Sequence, residues 1–200
     1  MNAERSWIKR NQNSTISTQI GGSKPSTFAL NKLQQFKYIE LNYFAPKGCS
    51  NAHAEHEKTA NNDTFSITWV NEIIILQLIS SLKTSKDICR DKDLPWDEMI
   101  MAKNMMLHFI TKSRVWQKEH VHSLVAFFVV LKNHPMHYQE LGNKTILHYI
   151  SCVCQEWFDP LKRNKGFNLQ LINEDLMWQI ADEVKDTART EELCEVSIFL

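Results

Sequence analysis

The chain has 200 residues, 43% hydrophobic and 23% charged, with a formal net charge of zero. That length is about one domain with room for a sizeable core, and the composition excludes the disordered and membrane classes. A zero charge sum removes any general attraction to nucleic acid or anionic lipid, but the charges are unevenly spread. Residues 1–27 carry Arg5, Lys9, Arg10 and Lys24 against Glu4 alone, whereas residues 174–195 carry eight acids against Lys185 and Arg189. A basic arm and an acidic end predict two different surfaces.

Residues 1–27 show no apolar period and contain Gly21-Gly22-Ser23-Lys24-Pro25, so they read as a disordered polar and basic arm. The main domain is expected over 28–188, with its firmest part at 93–188. A short helix is expected at about Thr27–Phe36. The aromatic stretch Tyr38–Phe44 then ends at Pro46-Lys47-Gly48, which reads as a turn. Ser50 is placed as the cap of a short polar helix over 51–60. Between Phe65 and Ile79 the β-branched run Ile73-Ile74-Ile75-Leu76 fits either an extended element or a buried helical turn, and the extended reading is preferred.

Four helices follow. The first starts near Asp93-Leu94-Pro95, with Pro95 in its first turn, Asp97 and Glu98 complementing the helix dipole, and Trp96, Met99, Ile100, Ala102, Met106, Leu107, Phe109 and Ile110 on one half of the wheel. The second, about 118–133, stops at Pro135 and is apolar almost all round, which predicts a central helix packed on several sides. The third runs from about Asn143 to Phe158, where Pro160 ends or kinks it. Asn173 caps the fourth, near 173–188, whose stripe is Leu176, Ile180, Val184 and Ala188. Residues 189–200 read as a short tail, turning apolar as a truncated or altered reading frame would. The predicted fold is mainly α, an orthogonal bundle of five to six helices with a short extended element near 65–79.

Five cysteines at irregular spacing argue against a disulfide framework. The first 27 residues lack a signal-peptide apolar core, so an intracellular protein of cytoplasm or nucleus is expected, with the sequons at Asn13, Asn62 and Asn143 unused. The longest apolar run, Leu124–Leu131, is too short to span a bilayer, and no membrane role is expected.

Chemistry-bearing clusters are few. Cys49, His53 and His56 fall within two helical turns, but a closed zinc site needs a fourth ligand and none is at knuckle spacing. Cys152 and Cys154 stand about 200° apart on a helix and cannot share an ion. Cys152 does share a face with His148, an arrangement that could hold zinc or activate a thiol, although an ordinary polar face explains it as well. His134 before Pro135 reads as a helix stop, its imidazole meeting the last carbonyls. Lys162, Arg163 and Lys165 form a small basic cluster that could contact phosphate. Lys103 lies within an apolar half-wheel, and Trp178 lies off its helix's stripe, so both are candidate partner contacts beside the plainer readings of snorkelling and loop packing. No phosphate-binding or dinucleotide loop occurs, and no catalytic residue or cofactor is expected.

Two blocks carry a resemblance. One is Trp116-x3-His120-x3-Leu124-x2-Phe127-Phe128-x2-Leu131-x2-His134-Pro135; the other is Glu156-Trp157-x3-Leu161-x4-Gly166-Phe167-Asn168 with Ile172-Asn173-Glu174-x-Leu176. Over about 28–188 they resemble a family of uncharacterised helical proteins that recurs in mushroom-forming fungi. In that family a Pro/Ser-rich linker and Cys/His knuckle-like segments follow the helical region, which implies a Gag-like or other mobile-element-associated protein. The family has arginines just before the Glu-Trp pair, where this chain has Cys154-Gln155. It lends no catalytic residue. The expected function is a non-enzymatic helical interaction or assembly domain with a protein partner or itself. A nucleic-acid module using the arm and Lys162, Arg163 and Lys165 is the alternative, and a metal-dependent enzyme comes third.

Overall fold

The computed structural model describes residues 23–59, 65–70, 73–78, 88–161, 163 and 165–198. The predicted arm therefore lies almost wholly outside the described residues. Among the described residues the fold is mainly α, six helices with one antiparallel pair of strands.

Helix α1 spans Thr27–Gln34. Ser26 caps it, its hydroxyl oxygen accepting the Ala29 N–H at 3.2 Å, and Ala29 and Leu33 face the core. The helix ends with Lys37 N–H donating to the Lys32 carbonyl across Phe36, which adopts the left-handed conformation at φ 51°. Glycine usually occupies that position. Here the Phe36 ring lies 5.0 Å from Trp116, and this packing opposes the backbone strain.

A 3₁₀ turn, Leu41–Phe44, with all four residues buried, leads into α2, Pro46–Thr59. Pro46-Lys47-Gly48 thus opens a helix instead of making the expected turn, and Ser50 lies inside α2 instead of capping it. Proline suits a first helical position, where its missing N–H has no helical acceptor. Gly48 is required by proximity: a Cβ there would sit 1.9 Å from the Asn42 carbonyl oxygen. Strands β1 (Phe65–Val70) and β2 (Ile73–Leu78) pair from Phe65↔Leu78 to Val70↔Ile73, so the β-branched run is extended.

A second 3₁₀ turn, Asp91–Asp93, precedes α3, Trp96–Lys112. Pro95 is the N-cap, one residue outside the first turn where it was expected, and Met99, Ala102, Met106 and Ile110 are buried. Helix α4, Lys118–Lys132, buries Val121, Leu124, Phe127, Phe128 and Leu131. Its opposite side is open, with Val125, Val129 and Val130 exposed, so the expectation of packing on several sides is corrected.

The helix that fills the centre is α5, Gly142–Leu161, following a third 3₁₀ turn at Pro135–Tyr138. It buries residues on most of its circumference, Thr145 and Ser151 among them, because the Asp91–Asp93 turn, the Pro135–Tyr138 turn, α3 and α6 all pack on it. Pro160 sits in its last turn, one residue before the end. Helix α6 spans Glu174–Ile198. The Asn173 side chain caps it by accepting the Leu176 N–H at 3.0 Å, as expected. The helix continues through most of the segment read as a tail, since Thr187 and Thr190 back-bond to its carbonyls and nothing between Ala188 and Ile198 breaks helical geometry. Met177, Ile180, Ala181 and Val184 form its buried stripe. No helix among the described residues is long and apolar enough to cross a membrane.

Candidate functional site

Cys49 is buried, donates its thiol to the Tyr43 carbonyl at 3.6 Å, and is pushed up to about 11 by burial, so it is protonated at neutral pH. His53 is exposed on α2, and the His56 side chain lies outside the described residues. On α5, Cys154 faces the core and its thiol is raised by burial and then by Asp91. Cys152 is half-buried and also raised, by burial first and then by Glu156 and Glu183. His148 is lowered by burial and Lys92. A neutral imidazole near a protonated thiol is the reverse of an activated pair. Among the described residues, no group of three or more His, Cys, Asp or Glu is placed to hold a metal ion.

The histidines around Pro135 have structural roles. His134 Nδ1 accepts the Met136 N–H at 3.1 Å and so caps the following 3₁₀ turn, while its Nε2 lies 3.1 Å from Glu174 Oε1. It is His137, not His134, that meets the end of α4, with Nε2 2.9 Å from the Leu131 carbonyl oxygen. Lys103 is half-buried with Nζ 5.7 Å above the Phe128 ring and 3.2 Å from Asn104 Oδ1. Burial, and then Lys132, lower its pKa. Arg163 and Lys165 are exposed, and both backbone N–H groups donate to the Pro160 carbonyl. Lys162 lies outside the described residues.

One polar cluster had no signal in the sequence. Asp91, 1% exposed, accepts the Leu41 N–H, and its own N–H donates to Glu40 Oε2 at 2.9 Å. The Tyr38 hydroxyl lies 2.8 Å from Glu40 Oε2 and 2.9 Å from Asp91 Oδ2. The single hydroxyl proton is shared between two carboxylates that crowd one another in a buried site. Burial, and then the Glu40 charge, raise Asp91 well above the ordinary aspartate value. The cluster ties residues 38–41 to the turn that packs on α5. Its partners are about 50 residues apart in the chain, which is why no local pattern announces them.

Between α2 and α3 lies an open trough of about 640 Å³ lined by Phe44, Pro46, Cys49, Met101, Met105 and His108, among others. Cys49, Ser50 and His108 all line it, and the Cys49 thiol is committed to the Tyr43 carbonyl and held protonated by burial.

What remains is surface. Along α4, Lys118, His122, Val125, Val129 and Lys132 recur every three or four residues and lie on one exposed face, with Val125 40% and Val129 54% exposed. On α6, Trp178 is 49% exposed with Glu174 and Asp175 one turn before it and Asp182 one turn after. The valine surplus on α4 was legible in the sequence but read as burial. No family model matches this chain, and neither a curated protein nor a solved structure matches it.

Proposed function

We propose that the chain is a non-enzymatic helical interaction or assembly domain that works through the open face of α4. The supporting observation is the pair Val125 and Val129 on a helix whose other side is core, since valines aligned on one solvent face form a contiguous apolar strip instead of scattered exposed residues. Protonated thiols and a His148 and Cys152 pair without activation favour this reading over an enzyme. In the Gag-like form of the proposal, the genomic sequence downstream of Leu200 would continue in frame into Cys/His knuckles.

Sedimentation and light scattering over a concentration series test the assembly reading. The wild type is expected to gain mass with concentration. Val129→Asp is expected to stay monomeric with unchanged helical circular dichroism, because Val129 is exposed and its loss leaves no cavity. A wild type that is monomeric at every concentration and retains no partner would sink the proposal.

A further inference from the structure

We infer that the open face of α4 takes an acidic protein segment, whose apolar side chains cover Val125 and Val129 while a carboxylate enters between Lys103 and Lys132. This inference rests on the interaction reading above and names the chemistry of what covers the face. Val125, Val129 and Lys132 follow one another along the exposed stripe of α4. Beside them Lys103 reaches across from α3, its ammonium 5.7 Å above the Phe128 ring and near enough to Lys132 for the two charges to repel. A charge taken out of water is normally paired. Lys103 has the Asn104 side-chain oxygen at 3.2 Å, but among the described residues neither lysine has a carboxylate partner. Burial, and then Lys132, lower the Lys103 pKa, and neither Asp97 nor Glu98 of its own helix offsets them. A carboxylate held between the two ammonium groups would. Glu119, the single acid of α4, stands at the opposite end of the helix from Lys132. The face is therefore an apolar strip with a cationic end. A nucleic acid or lipid surface would bring phosphates onto the valines, and the chain has no net positive charge to draw one. An amphipathic helical segment with an acid one turn from its apolar residues matches both parts.

Two synthetic amphipathic helical peptides test this on the full chain by fluorescence anisotropy. One carries glutamates beside a leucine stripe, and the other has glutamines in their place. The glutamate peptide is expected to bind about tenfold tighter, a margin that shrinks as salt rises. Lys103→Met and Lys132→Gln are each expected to remove most of that margin while leaving the affinity for the glutamine peptide unchanged. Val129→Asp is expected to weaken both peptides, with the circular dichroism spectrum of every variant retained. Equal affinities that Val129→Asp still abolishes would overturn the carboxylate subsite and leave α4 as an interaction face. Binding of neither peptide would overturn the acidic segment, with the α4 reading still decided by sedimentation. Ready displacement of the glutamate peptide by a single-stranded DNA oligonucleotide would overturn it in favour of a polyanion. Glutamate-peptide binding undiminished in Val129→Asp would remove both the inference and the α4 reading.

Discussion

Asp91 shows how one side chain can combine a structural and a titrating role. Its carboxyl is buried beside Glu40 and Tyr38, and its pKa is raised by desolvation and then by the Glu40 charge. The folded chain therefore holds a proton that the unfolded chain releases above about pH 3.9. This contribution to stability is fully present below that pH and is lost progressively as pH rises to the raised native pKa. The slope in that window is at most about 1.4 kcal/mol per pH unit. Asp91→Asn keeps a neutral side chain of similar shape and is expected to flatten this part of the profile. Denaturant unfolding of both proteins from pH 4 upward checks it, and parallel curves would show that Asp91 stays ionised. The residue-scale candidates from sequence fared differently because helix periodicity separates Cys152 from Cys154 correctly, yet it cannot say that Asp91 lies beside Cys154.

Two elements share a device. In each, a 3₁₀ turn (Leu41–Phe44 or Pro135–Tyr138) is followed by a helix whose early glycine touches the turn's backbone. A Cβ on Gly48 would lie 1.9 Å from the Asn42 oxygen, and one on Gly142 would lie 1.9 Å from the Met136 oxygen. These contacts set how closely α2 and α5 approach the preceding turns. Gly142→Ala should improve helix propensity by up to ~1 kcal/mol, but it must push backbone apart beneath the central helix. The expected net loss is ~1–3 kcal/mol, read as a lower midpoint in denaturant with an unchanged slope. A stabilised variant would show that the approach is not constrained. Glycine in these places reads as a turn or a break in the sequence, and only the fold shows that it marks contact. The same limit explains Pro46, whose fixed φ suits either a turn or a first helical position.

An aromatic cluster joins the N-terminal segment to the bundle. The Trp116 ring packs tilted against Phe36 with centroids 5.0 Å apart, approaches Phe158 at 5.7 Å and Trp157 at 6.3 Å, and donates its indole N–H to the Leu33 carbonyl at 3.0 Å. Removing it should loosen α1 from the bundle as well as empty the core. Trp116→Ala is expected to cost ~3–5 kcal/mol, and Trp116→Phe less, because a ring remains while the indole hydrogen bond is lost. Denaturant unfolding, together with hydrogen exchange over residues 27–36, would resolve the two effects. Equal losses in both variants would show that the hydrogen bond, not the packing, carries the link.

The periodicity of apolar residues was enough to place α3, α4, α5 and the start of α6, because a helix's buried stripe is written in local sequence at three- and four-residue steps. Ser26 and Asn173, both capping types, lie where helices begin for the same local reason. The tertiary structure alone decided which helix occupies the centre. Helix α4 is the more uniformly apolar, but α5 is the one enclosed by its neighbours, and the surplus valines of α4 are left on the surface. It alone also brought Tyr38, Glu40 and Asp91 together and committed the Cys49 thiol to the Tyr43 carbonyl. Burial and side-chain proximity depend on elements distant in sequence, so the pattern of one segment cannot encode what packs against it.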